Sequence, residues 1–240
     1  MELLRNEEQR INLVRFFKTG KGDYGEGDEF LGLKVPQTRM IVKQSLNLPL
    51  HEVPFLLTNR YHEIRLCGFL ILVEKFARLS TKKLENDETA IKSRDEIVEL
   101  YLFHASHANN WDLVDLSAPG ILGRWLLLPT FLGSHKEFVD TLANSEILWH
   151  KRISMVCTMT PIRHGNPSWC LHYAVMHLHH THDLMHKAVG WMLREMGKHV
   201  SMDLLRKFLS EHAATMPRTT LRYAIEHMDA EERKYWMNKH

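Results

Sequence analysis

The segment Trp111-Asp112-Leu113-Val114-Asp115 concentrates residue types that can do chemistry. On a helix, Trp111 and Asp115 stand at i and i+4 and share a face, as do Asp112 and Asp115 at i and i+3. The preceding Asn109-Asn110 can supply the N-cap, and Asp112 then has an ordinary duty at the positive helix end. Asp115 lies in the second turn among Leu113, Val114 and Leu116, one turn beyond an indole. A carboxylate beside an aromatic face is poorly solvated and suits electrostatic catalysis; an ion pair is the ordinary alternative. Trp149-x-x-Arg152 and Trp191-x-x-Arg194 also pair an indole with a guanidinium on one face. A packed Trp with a snorkelling Arg accounts for that pattern. So does a surface where Arg grips phosphate and Trp stacks on sugar or base.

Other chemical motifs are weaker. Met176-His177-Leu178-His179-His180-Thr181-His182 with His186 invites a metal reading, since His182 and His186 are i and i+4. No Glu stands between them in an H-E-x-x-H arrangement and no cysteine pair is near, so no metal and no cofactor are expected. The run reads as an inter-helix turn. Gly20, Gly22, Gly25 and Gly27 form a flexible, mobile turn leading into Phe30-Leu31-Gly32. It is not a P-loop, and its acidic residues would repel a nucleotide phosphate. Cys67, Cys157 and Cys170 lie far apart without C-x-x-C spacing, which argues against a disulfide framework; Cys67 and Cys157, on apolar stretches, read as buried packing residues. No G-x-S-x-G elbow occurs.

The elements that must position these residues are helical nearly everywhere. Pro36 suits the first position of a helix carrying Met40, Ile41 and Leu46. Ile64 to Phe76 is apolar on more than one face and so central. Asp87-Glu88-Thr89 opens a helix through Leu102. Further helices are predicted near 111–127, 136–145, 147–162, 168–180, 182–198, 200–213, 217–227 and 229–238. Strand-like alternation is scarce. The expectation is an all-α chain of roughly a dozen helices joined by short turns. Trp111, Trp149 and Trp191 recur at spacings of 38 and 42 residues. That fits a HEAT-type repeat of about 40–47 residues and favours an α-solenoid over a globular bundle, with the three indoles projecting into one groove.

Composition bounds the answer. With 44% hydrophobic and 25% charged residues, global disorder is excluded. No apolar run approaches the roughly 18 residues of a membrane span, and no secretory signal is visible at Met1-Glu2-Leu3-Leu4, so a cytoplasmic protein is expected. The net charge of +2 hides an asymmetry. Residues 1–149 hold 18 Lys+Arg against 21 Asp+Glu, whereas residues 150–240 hold 13 against 8 and 12 of the 17 histidines. A basic C-terminal part points to a polyanion, nucleic acid being the usual one; a solvated basic surface is the bland alternative.

At the level of motifs the chain resembles the AlkD-like DNA alkylation repair family, which are HEAT-like-repeat DNA glycosylases. The resemblance is carried by Phe30-Leu31-Gly32-Leu33-x-Val35-Pro36-x-x-Arg39, Asn110-Trp111-Asp112-x-Val114-Asp115 and Trp149-x-x-Arg152. It continues in Lys187-Ala188-Val189-Gly190-Trp191-x-Leu193-Arg194-Glu195 and Pro217-Arg218-x-x-Leu221-Arg222-Tyr223-Ala224-Ile225-Glu226. It implies one domain over residues 1–240, a right-handed α-solenoid of HEAT-like repeats, with residues 1–29 an N-terminal helix and the Gly-rich loop. It also implies hydrolysis of the N-glycosidic bond of N3- or N7-alkylated purines in double-stranded DNA, and a single repeat superhelix around DNA would work as a monomer. By position, Asp115 would be the catalytic carboxylate, and Trp111 and Trp191 would flank the lesion sugar. Arg152 would hold phosphate, with Arg194, Arg39, Arg218 and Arg222 as further phosphate contacts. No lysine is implicated, so no lyase step is expected. Two alternatives stay open: a non-catalytic relative that binds damaged or branched DNA, and a HEAT-type scaffold whose groove binds peptide.

Overall fold

A computed structural model describes residues 1–239. Those residues are helical with no β-strand, apart from an isolated bridge between Glu29 and Tyr61. They divide into two compact units, one of residues 1–121 with 128–133 and the other of residues 122–127 with 134–239.

The first unit holds α1 (Glu7–Phe16), α2 (Val35–Gln44), α3 (Val53–Leu57), α4 (His62–Leu79), α5 (Glu88–Phe103) and α6 (Trp111–Ser117). Helix starts follow from local chemistry. Asn6 caps α1 by accepting from the Gln9 amide, Asp87 caps α5 by accepting from the Ala90 amide, and Pro36 lies in the first turn of α2. The hub is α4, against which α2, α3, α5 and α6 pack. Its Leu66, Phe69, Leu70, Ile71, Leu72 and Phe76 are all buried, as a helix apolar on several faces requires. The short α3, with Pro54 in its first turn, was not among the predicted helices.

The second unit holds α7 (Leu122–Trp125), α8 (His135–Ala143), α9 (Leu148–Val156), α10 (Met159–Arg163), α11 (Ser168–Met176), α12 (Asp183–His199), α13 (Met202–His212), α14 (Arg218–Ala224) and α15 (Ala230–Met237). Here α12 is the hub, contacted by α9, α10, α11, α13 and α14. A Cβ at Gly190 would lie 2.5 Å from the Thr220 carbonyl oxygen and from Tyr223 Cβ, so only glycine lets α14 approach this closely. In each unit, short helices stack on a central one, in keeping with the expected all-α fold of the solenoid class. Among the described residues no helix is long and apolar enough to cross a membrane.

Two predicted helices are broken. The one expected over 111–127 ends at Ser117, and the chain turns through Pro119-Gly120 before α7. A Cβ at Gly120 would come within 2.7 Å of Val73, so the turn lies close against α4. The one expected over 147–162 divides into α9 and α10 at Cys157-Thr158, ahead of Pro161, which lacks the amide needed to continue a helix. All three cysteines are buried free thiols.

Candidate active site

Helix α6 owes its start to Asn110, which is fully buried and whose side chain accepts from the Trp111 amide at 2.9 Å. Leu113 and Val114 turn into the core, leaving Trp111 and Asp115 half-buried. The Trp111 ring is held by Phe17 at a centroid distance of 5.3 Å and by Phe16, edge-on, at 5.7 Å. Phe17 in turn stacks on Phe30 at 5.3 Å. The indole therefore has a packed aromatic backing, and the carboxylate one turn along shares its helix face.

Behind this face lies a buried charge network that sequence reasoning missed. His62, at the start of α4, sits between two carboxylates: Nδ1 is 3.1 Å from Asp28 Oδ2 and Nε2 is 2.8 Å from Asp112 Oδ2. Arg65, one turn along, donates to Asp28 Oδ1 at 2.5 Å, to Asn109 Oδ1 at 3.0 Å, and to the carbonyls of Asn59 and Arg60. Asn109 also donates to Asp28. Phe30 stacks on the imidazole at 4.7 Å and Phe17 lies 5.0 Å from it. Burial opposes a charge on His62, but Asp112 and then Asp28 outweigh it and push its pKa up to about 9. Burial also opposes ionisation of Asp28, yet His62 and Arg65 hold it below the usual carboxylate range. Two cations thus face two carboxylates, and the buried set is close to neutral overall, the condition under which such charges are tolerated. Asp112 accordingly does more than face a helix end: it bonds the imidazole through one oxygen and its neighbour's amide, Leu113 N, through the other.

Glu63 secures the adjoining segment. Its buried carboxylate accepts from the backbone amides of Leu31, Gly32 and Leu33 at 2.8–3.1 Å, an anion nest filled from within the chain. Gly32 has φ of +86° there, and a Cβ on it would strike the Asn6 carbonyl. The Gly-rich turn is thus tied down at the end where it meets Asp28 and Phe30.

The second unit holds the remaining predicted residues except Arg39. Arg152 is 4% exposed and donates to the Leu184 carbonyl of α12 at 2.5 Å, which brings its helix α9 against α12. Trp149 is 7% exposed. It therefore packs inside the unit rather than projecting into a groove, and the two W-x-x-R copies are not equivalent. Trp191 is half-buried. Arg194 pairs with Glu195 at 3.2 Å and, closely, with Glu226. Arg218 and Arg222 are exposed, with bonds to the Met237 carbonyl and the Thr219 hydroxyl. Arg39, on α2 of the first unit, is exposed. The histidine run serves the fold. His177 Nε2 meets the Ser154 hydroxyl at 2.9 Å, His182 caps α12 by accepting from the Leu184 amide, and His186 bonds the His180 carbonyl. Among the described residues no group of three His, Cys, Asp or Glu is placed to hold a metal.

A family model described as DNA alkylation repair enzyme matches residues 1–228 of the chain. Among curated proteins, no relative matches it. A solved structure described as a predicted DNA alkylation repair enzyme from Enterococcus faecalis superposes with a TM-score of 0.68 at 15% identity. The match covers 94% of this chain and 97% of that one, and at this identity it speaks for a shared fold.

Proposed function

Since the chain belongs to the DNA alkylation repair enzyme family, we propose that it is a monofunctional glycosylase that removes cationic N3- or N7-alkylated purines from duplex DNA. The observation that carries this reading is the pairing of Trp111 with Asp115 on the half-exposed face of α6, above a packed aromatic backing. Alkylation at N3 or N7 makes the purine a cation. When its bond to C1′ breaks, the electron pair goes to the base, which leaves neutral and needs no general acid. What remains is an oxocarbenium-like sugar. A carboxylate at Asp115 stabilises that charge and orients the water that forms the new C1′–O bond, taking up its proton directly or passing it to solvent. An indole at Trp111 adds cation–π and packing contact of about 0.5–2 kcal/mol. By the same resemblance Trp191 is assigned to the lesion sugar. Arg194, Arg39, Arg218 and Arg222 are assigned to backbone phosphates, and so is Arg152, whose buried guanidinium would have to leave the Leu184 carbonyl to reach one.

The test is release of 7-methylguanine or 3-methyladenine from methylated duplex DNA, read by chromatography, with wild type and Asp115→Asn. Wild type releases base, and the variant is slower by about 10²–10³-fold with DNA binding retained. Equal release by both removes Asp115 from the chemistry. No release by either, with salt-sensitive DNA binding still present, moves the protein to a non-catalytic binding role.

A further inference from the structure

His62 meets both ends of the Gly-rich segment. Phe17, the last residue before it, lies 5.0 Å from the imidazole, and Asp28, the first after it, bonds Nδ1. Between them the segment folds back on itself: the Gly25 amide donates to the Lys18 carbonyl at 3.2 Å, and a Cβ at Gly25 would lie 2.6 Å from the Phe17 carbonyl oxygen. Lys18 takes φ of +49°, a conformation a non-glycine residue keeps only when its surroundings impose it. The other imidazole nitrogen bonds Asp112 in the first turn of α6, and Phe17 is also the ring that backs Trp111. One side chain therefore ties the loop, the indole's support and the helix bearing Asp115.

We propose that His62 is the positioning residue of the site, an imidazolium clamp that closes the 18–27 loop and fixes α6 so that Trp111 and Asp115 are presented together. The chemical part of this rests on the glycosylase reading; the clamp itself does not. A buried ion set would serve stability alone if it stood apart from the site. This one touches the site twice, through Asp112 and through Phe17. The groups facing the imidazole are Asp28 from the loop end, Asp112 from α6, and the rings of Phe17 and Phe30, with Arg65 of α4 and Asn109 bonded to Asp28. Removing the proton from His62 leaves two carboxylates facing a neutral ring, and the loop end is the part of the set with least helix to hold it.

Three readouts test the clamp on full-length wild type, His62→Gln and the charge-neutral double variant Asp28→Asn/His62→Gln, which keeps a foldable protein if unpaired carboxylates prevent folding. First, native-state trypsin cleavage after Lys18 and Lys21 should accelerate about tenfold or more in both variants, without matching cleavage elsewhere. Second, single-turnover release of 7-methylguanine at pH 7 should slow about 10–100-fold while DNA affinity stays within about twofold, the signature of lost alignment. Third, wild-type release should fall as pH rises through about 9, and the His62→Gln profile should be flat there. Unchanged loop cleavage and unchanged release in His62→Gln, with release by Asp115→Asn slowed as expected, overturns the clamp and keeps the glycosylase. Wild type that releases no base, with loop cleavage still accelerated in the variants, overturns the glycosylase and keeps the clamp.

Discussion

Replacing Glu63 by Gln changes one atom and removes one charge, and the structure sets what that costs. Oε1 accepts from Leu31, Gly32 and Leu33 at 2.8–3.1 Å, while Oε2 accepts from Leu31 at 2.9 Å. With the amide oxygen in the Oε1 position, the three amides keep an acceptor, but a neutral one. Bonds to charged groups contribute about 1.5–3 kcal/mol and neutral ones about 0.5–1.5, so roughly 1 kcal/mol is lost on each of three. The new NH₂ then points at the Leu31 amide, donor against donor, which adds about 1 kcal/mol or more. The expected loss is about 3–5 kcal/mol of local stability, against about 0.5 kcal/mol for an ordinary surface change. Hydrogen exchange at Leu31, Gly32 and Leu33 measures it directly, because the loss is concentrated where those amides open. Protection at the three amides reduced by less than about 1 kcal/mol would refute the nest as the anchor of this segment.

Two further outcomes follow from packing and titration. Gly190→Ala should cost about 2–3 kcal/mol in urea unfolding, because the new methyl meets a backbone carbonyl that has no room to yield; a neutral result would mean α14 shifts freely. His177 is pushed down to about 4, first by burial and then by the charges of His180 and Lys151. As pH falls from about 6.5 to 4, its unfolded ring binds a proton that the folded ring refuses, so stability drops by about 3 kcal/mol across that window. His177→Gln should flatten this part of a thermal-midpoint profile; the same slope in variant and wild type assigns the loss elsewhere.

The all-α class and most helix positions were legible in the sequence because periodicity, caps and prolines are local signals. Asn110 before Trp111, Asp87 before Glu88 and Pro36 all do what their types imply. The breaks at Pro119-Gly120 and before Pro161 had their signals too, but apolar periodicity ran across both. The Trp spacing misled about Trp149, since a repeated residue type does not repeat its exposure. The buried network was the largest omission. Its sequence signal lies in α4 itself: a helix apolar on several faces has no wet side, so His62, Glu63 and Arg65 at its start must be buried and partnered. The partners were not legible. Asp28 and the amides of residues 31–33 lie 30 or more residues away in the chain, and only the tertiary fold brings them to α4.

The buried cysteines have a consequence in reactivity toward electrophiles. Thiolate is the nucleophilic form of a cysteine side chain and the one that methylating agents modify readily. Burial pushes Cys67 up to about 11 and Cys170 up to about 12, and raises Cys157 as well. At neutral pH the thiolate fraction of Cys67 is then about one part in ten thousand, and the other two carry less. With every thiol sheathed in core and held protonated, the folded chain offers the reagents little to consume, and its sulfur chemistry opens only when the fold does.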